Sequence, residues 1–240
     1  MIWLALAGWP EKDVHHAEAL STGIPGRVWP FFTRGLPATL AGLAGIAALS
    51  NTGVIATKEN LGGATAGYFG ATALAAKALL IAPQAMAVIL LPRVARREAD
   101  GQATGPLLAM GVLAVVALGV IAIARAAVFA EPVLTITFGS AYAPAADLLV
   151  PFLGATTVLG ALLILVNHHV ARGDFPFVWA VGGLAVVQIT LLIAFAHSGL
   201  EVITIDAAVA ACGLVLHEII YWGKPDSMLF SITAVLRGHR

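Results

Sequence analysis

The stretch Gly67–Pro92, GYFGATALAAKALLIAPQAMAVILLP, runs for 26 residues with a single formal charge, at Lys77. A bilayer core about 30 Å thick is crossed by about 20 helical residues, so this segment is long enough to span it. Five further apolar stretches flank it: Leu36–Thr57, Pro106–Val128, Leu148–His169, Phe175–His197 and Val202–Trp222. The reading is an all-α membrane protein, a six-transmembrane-helix bundle. It comprises an N-terminal arm over residues 1–35, the bundle over 36–222 and a tail over 223–240. Composition agrees, because 11% of residues are charged and 60% hydrophobic, against about 25% charged in an ordinary soluble domain.

The net charge is zero, so no basic field invites nucleic acid. Cys212 is the only cysteine, which excludes a disulfide within the chain and a cysteine-based metal cluster. Met1–Gly8 is apolar but short, lacks a basic flank and runs into Trp9-Pro10. It reads as an interfacial segment or a ragged terminus rather than a signal peptide.

The basic residues set an orientation. Lys12, Arg27, Arg34, Arg93, Arg96, Arg97, Arg172, Lys224, Arg237 and Arg240 fall on one side, ten of the thirteen Lys and Arg. Lys58 and Arg125 fall on the other, and Lys77 lies within the second span. Positive loops stay inside, so both termini are expected in the cytoplasm of a plasma (inner) membrane, with membrane lipids around the bundle. Trp29, Trp179, Tyr221 and Trp222 then anchor the inner helix ends, and Tyr68 and Tyr142 the outer ones. The outer segment Glu131–Asp147 is long; Phe138–Pro144 within it is expected to form a short surface helix or hairpin, with no seventh span.

Lipid tails give helices no ordinary hydrophobic reason to associate, so small residues that permit close approach mark packing faces. Gly67, Ala71 and Ala75 form one such face; Ala38 with Gly42, and Ala41 with Gly45, form another. Pro83 removes a backbone donor midway along the second span and is expected to kink it. Proline is well tolerated in membrane helices, and broken helices also mark moving or binding elements of transporters.

Lys77 lies about 15 Å from the outer end of its helix. A cation at that depth costs roughly 2.5–3.5 kcal/mol on insertion, so it should face protein or water. Gln84 follows at i+7 on the same face, with Gly70 and Ala73 continuing the stripe. This pairing suits a phosphate-bearing headgroup; the structural alternative is a Lys that snorkels or pairs with an acid. Asn51, beside Ser50 and Thr52, either bonds a sugar or joins helices, and Gln188 carries the same two readings. Asp206, about four residues into the sixth expected span, is interfacial, pairs with Lys77 or takes up a proton. His168, His169, His217 and Glu218 gather near expected inner helix ends. Adjacent histidines on a helix diverge and no H-E-x-x-H spacing occurs, so they read as interfacial residues, not a metal site. No nucleophile elbow or phosphate-binding loop occurs, hence no catalytic constellation and no cofactor is expected.

Two fragments carry a family pattern. One is Ala66-Gly67-Tyr68-Phe69, through Ala73 and Lys77, to Pro83-Gln84-Ala85-Met86-Ala87-Val88-Ile89-Leu90-Leu91-Pro92-Arg93-Val94-Ala95; the other is Phe138-Gly139-Ser140-Ala141-Tyr142-Ala143-Pro144-Ala145-Ala146. In order and spacing, over about Leu36–Leu200, they resemble the oligosaccharide flippase branch of the multidrug/oligosaccharidyl-lipid/polysaccharide exporter superfamily. The resemblance implies one lobe of a MATE-like, two-lobed transporter moving lipid-linked oligosaccharide by alternating access for cell-surface polysaccharide export. It implies that this chain looks like the C-terminal lobe alone: a fragment, a truncated product or a subunit paired with a second six-helix bundle. A homodimer is one form of that pairing. Lys77, Gln84 and Asn51 are the expected substrate-binding residues, with a headgroup-facing role carried over for Lys77. Gly53 stands where the family often has an acid, so an ion-coupling role does not transfer there. The rival expectations are a drug or cation exporter of the same superfamily, a membrane enzyme using the histidines, and a non-transporting partner subunit.

Overall fold

A computed structural model of the protein describes residues 35–237. Met1–Gly8, Lys12, Arg27, Trp29, Arg34 and Arg240 lie outside the described residues, as does nearly all of the arm. From Thr39 onward the residues form one unit, almost entirely helical.

Helix α1 is Leu36–Leu61. Helix α2, Gly63–Lys77, passes through a 3-10 turn at Ala78–Leu80 into α3, Ile81–Ala99. Helix α4 is Gly105–Phe138, and a 3-10 turn at Ser140–Ala145 leads into α5, Ala146–Arg172. Helices α6, Pro176–Phe195, and α7, Gly199–Ile220, complete the long elements, and a short α8, Met228–Leu236, follows. Among the described residues, six helical stretches are long and apolar enough to cross a membrane, each overlapping one expected span.

Local chemistry explains the breaks. Gly62 and Gly63 have φ of 58° and 50°, a left-handed backbone that turns α1 into α2 at little cost only because both lack a side chain. Gly173, at φ 70°, closes α5 with paired bonds: its own N–H donates to the Val170 carbonyl at 3.1 Å and the Asp174 N–H to the His169 carbonyl at 3.0 Å. This left-handed cap folds Asp174 back over the last turn of α5.

The expected kink in the second span takes the form of the 3-10 turn. Pro83 has no N–H to donate to the Leu79 carbonyl, and its ring crowds that carbonyl, so the chain tightens just before it. Replacing Pro83 with Ala restores the donor. The expected result is continuous α-helical bonding through Ala78–Leu80 and roughly tenfold slower amide exchange there, of the order of one net hydrogen bond.

The region between the third and fourth spans differs from expectation. Helix α4 does not end near Val128; it bends at Phe129 (φ −119°, ψ 18°) and continues to Phe138. Pro132 falls in the first turn of the new limb, where a missing N–H breaks no bond. Phe138–Pro144 is helical rather than a hairpin: the 3-10 turn packs Tyr142 edge-on to Tyr68 at 5.9 Å, and Thr72 Oγ1 donates to the Ala145 carbonyl at 3.2 Å.

Helix α5 is the central element, with 67% of its apolar window buried, against 22% for the second span. Its neighbours approach through small residues. A β-carbon at Gly160 would lie 2.9 Å from Val115 Cγ1 and 3.4 Å from Pro83 Cγ. A β-carbon at Gly45 of α1 would likewise lie 3.2 Å from the Cα of Gly182 in α6. The face expected at Gly67 is not a packing face at that position: nothing lies within 4 Å of a β-carbon there, because the first turn of α2 is exposed. The tail contains the unforeseen α8, capped by Ser227 Oγ, which accepts from the Phe230 N–H at 3.1 Å.

Candidate functional site

A groove of about 470 Å³ lies between α1 and the broken second span, with α5 as its floor. Its polar lining is Ser50, Asn51, Lys77, Gln84 and Asn167, and Leu43, Leu80 and Leu163 stand among the apolar walls. All three expected binding residues, Lys77, Gln84 and Asn51, therefore share one surface. Lys77 is half-buried at the last position of α2, immediately before the 3-10 turn. Its Nζ donates to Asn51 Oδ1 at 3.1 Å. The Asn51 amide nitrogen donates to the Ala47 carbonyl of its own helix at 2.7 Å, which turns the oxygen toward the lysine. Gln84 is exposed about two turns further along the same span. Asn167, which the sequence shows only as part of the histidine run, adds an amide from α5. Ala73 does not continue the stripe: it is 2% exposed, in the core between α2 and its neighbours. The 3-10 turn and the packing of α2 on α5 send that side of the helix inward.

Behind the groove lies a small cavity of about 20 Å³, lined by Lys77, Asp206, Ser50, Thr156, Leu49 and Phe152 among others, room for about one water molecule. Asp206 is seven residues into α7, not at its edge, because the helix begins at Gly199. No ion pair within 4 Å joins it to Lys77 among the described residues. Instead Gln188, fully buried, donates to Asp206 Oδ1 at 2.5 Å and to the Leu49 carbonyl at 3.2 Å. Gln188 thus joins α1, α6 and α7, settling its two readings in favour of helix joining, and its Oε1 has no protein partner. A β-carbon at Gly53 would lie 3.0 Å from Val202 Cγ1 and 3.3 Å from Asp206 Cγ. The absent side chain at Gly53 leaves the space that the Asp206 carboxylate fills.

The histidines lie buried near one end of the bundle. His168, His169 and His217 are 4%, 0% and 0% exposed, covered by Phe177, Tyr221 and the turn after α5. His168 and His169 diverge, as adjacent helical positions must. His168 lines a small apolar cavity between α3, α4 and α5, both ring nitrogens without a partner. His169 instead meets His217 across the bundle, Nε2 to Nε2 at 2.9 Å. Among the described residues no three His, Cys, Asp or Glu side chains converge to hold a metal.

Asp174 and Tyr221, both beyond the helical spans, form a pair that sequence does not single out. The Tyr221 hydroxyl donates to Asp174 Oδ2 at 2.8 Å. His169 beside it, and then that hydroxyl, hold the Asp174 carboxyl below the usual range against the opposing effect of burial. Burial, then the neighbouring carboxylate, pushes the Tyr221 phenol upward. Arg172 completes this end of the bundle: its Nε donates to Glu98 Oε2 at 2.8 Å, and its Nη1 pairs with Asp226. The only signal for this cluster in the sequence is a glycine cap followed by an acid.

Compared with known proteins, the chain matches no family model, no curated protein and no solved structure.

Proposed function

We propose that this chain is one lobe of a plasma-membrane transporter for lipid-linked oligosaccharide, with both termini in the cytoplasm and the groove facing a second six-helix bundle. The carrying observation is Lys77, a cation at mid-depth of a span, half-buried in a groove that also holds Asn51, Gln84, Ser50 and Asn167. A charge at that depth is retained against an insertion cost of roughly 2.5–3.5 kcal/mol, and an ammonium ringed by amides matches a diphosphate followed by sugar hydroxyls. The apolar walls suit the first isoprene units of a polyprenyl carrier. The single lysine disfavours a cationic drug as cargo, since like charge would then be desolvated beside like charge.

The groove is open on one side of the bundle, where Leu43, Val88, Asn51 and Gln84 are all exposed. A second bundle covering that side would turn the groove into a cavity. Alternating access then follows from rocking one lobe against the other around a fixed site.

The test is photolabelling of the purified chain in lipid nanodiscs with a photoreactive polyprenyl-diphosphate saccharide. Label is expected on peptides spanning Ser50–Asn51 and Lys77–Gln84, with competition by unlabelled carrier. Label spread evenly over the lipid-facing helices, or competition by a lipophilic dication instead, would remove this reading.

A further inference from the structure

The burial of His168 is not explained by the packing around it. A neutral imidazole carries one donor and one acceptor, and at His168, 4% exposed, neither ring nitrogen has a protein partner. Buried polar groups are nearly always paired, and leaving them unpaired is unfavourable. The cavity beside the ring measures about 10 Å³, the lower limit for a single water. The two ring nitrogens point away from each other, so one water can serve only one of them. With the cavity closed, at least one nitrogen stays unpaired.

Much of what covers the ring is α3. Ala87, Leu90, Leu91 and Val94 of that helix line the cavity, and Ala87, Leu91 and Asn167 line the groove as well. Two α3 side chains and one amide therefore separate His168 from the groove. Helix α3 is lightly held: along its length Pro83, Ala87 and Val94 alone are buried. It starts at the 3-10 turn Ala78–Leu80, where α-helical bonding is already interrupted. Its far end is clasped by Arg172, whose Nε and Nη2 donate to Glu98 Oε2 and Oε1 at 2.8 and 3.4 Å. The Glu98 side chain is 41% exposed, and exposed ion pairs contribute little.

We infer that the groove has a concealed extension ending at His168, opened when α3 swings about the 3-10 turn, and that the imidazole there binds sugar hydroxyls. The saccharide half rests on the transport reading given above. A hydroxyl is the class that fits, because it both donates and accepts and so meets either ring nitrogen. A phosphate oxygen offers only lone pairs. Asn167 at the mouth is set the same way: its Nδ2 donates to the Leu163 carbonyl at 2.8 Å, which leaves Oδ1 to accept. Leu91 lies roughly 20 Å beyond Lys77 along the span, at about 1.5 Å per residue. A headgroup held by its diphosphate at Lys77 therefore brings its saccharide to this end. A ligand that binds only the open form shifts the protein toward it.

The test uses the full chain in lipid nanodiscs and diethyl pyrocarbonate, with labelling read for each histidine by mass spectrometry. His168 is expected to react roughly tenfold faster than its neighbour His169, which is also buried but is not covered by α3. Glu98→Lys turns the clasp into a repulsion and should speed His168 labelling about tenfold while leaving His169 unchanged. Pro83→Ala, which stiffens the turn, should slow it. His168→Leu places an apolar side chain among apolar walls and should fold well. It is expected to weaken binding of a polyprenyl-diphosphate saccharide about tenfold, the effect of losing roughly one hydrogen bond, and to leave binding of a bare polyprenyl diphosphate unaffected.

His168 labelled no faster than His169 in both the unaltered protein and Glu98→Lys would overturn the opening. Equal weakening of both carriers by His168→Leu, or of neither, would overturn the saccharide contact. If neither carrier binds the unaltered protein, the transport reading fails and the saccharide contact with it, while the labelling decides the opening on its own.

Discussion

Replacing Lys77 with Ala is expected to weaken binding of a polyprenyl-diphosphate saccharide by roughly 10- to 150-fold, the effect of losing a charge-assisted hydrogen bond of about 1.5–3 kcal/mol. Asn51→Ala should cost less, because Asn51 holds the ammonium through a 3.1 Å bond but carries no charge of its own. Equilibrium binding of a fluorescent carrier to the purified chain measures both. A structural lysine makes the opposite prediction about stability. If Lys77 mainly supports the fold, Lys77→Leu should lower the thermal midpoint. If it is kept for a ligand, the same change relieves a half-buried charge and should raise the midpoint while abolishing binding. Unchanged affinity in a well-folded Lys77→Ala protein would take the residue out of the site.

The largest effect on stability is expected at Gly119. In α4 it lies against Thr157 of α5, so close that an added β-carbon would overlap the threonine hydroxyl and methyl and sit 2.9 Å from its Cβ. Overpacking costs about 1–3 kcal/mol where a side chain can yield. Here Thr157 Oγ1 is also tied to the Leu153 carbonyl at 2.7 Å, which limits how far it can turn away. Gly119→Ala should therefore destabilise by a few kcal/mol, and Gly119→Leu should prevent α4 from seating on the central helix. Thr157→Gly should rescue Gly119→Ala. The sum of the separate effects should exceed that of the double variant by at least about 1 kcal/mol, measured by thermal unfolding in detergent. Additive effects would show that the two helices do not meet there.

Six spans and the break at Pro83 are legible in the sequence because each rests on chain-local chemistry: apolar run length and a missing donor. The gathering of Lys77, Gln84 and Asn51 is partly legible, because a costly charge narrows what its neighbours can be. Helix rotation is not. In a soluble protein the buried face is the apolar face, but a bundle in lipid is apolar on both sides. Leu74 is 64% exposed and Leu162 fully buried, with nothing in their chemistry to tell them apart. The stripe expected through Ala73 fails for that reason. The His169–His217 contact joins residues 48 apart in sequence on different helices, a pairing that no local spacing can reveal. Helix α8 is hidden because its nine residues are too short for a span, and its cap on Glu218 appears only after α7 and the following turn are folded.

The open side of the groove has an energetic consequence for a bundle that sits alone in the bilayer. An ammonium among amides on a face open to lipid would draw water down from the headgroup layer and thin the leaflet around it. Two such bundles brought face to face would merge their thinned patches into one enclosed pool and let the leaflets relax. Association would thus gain a driving force from bilayer repair rather than from side-chain contact, and swapping the lysine for leucine should make the protein more monomeric as lipid is added.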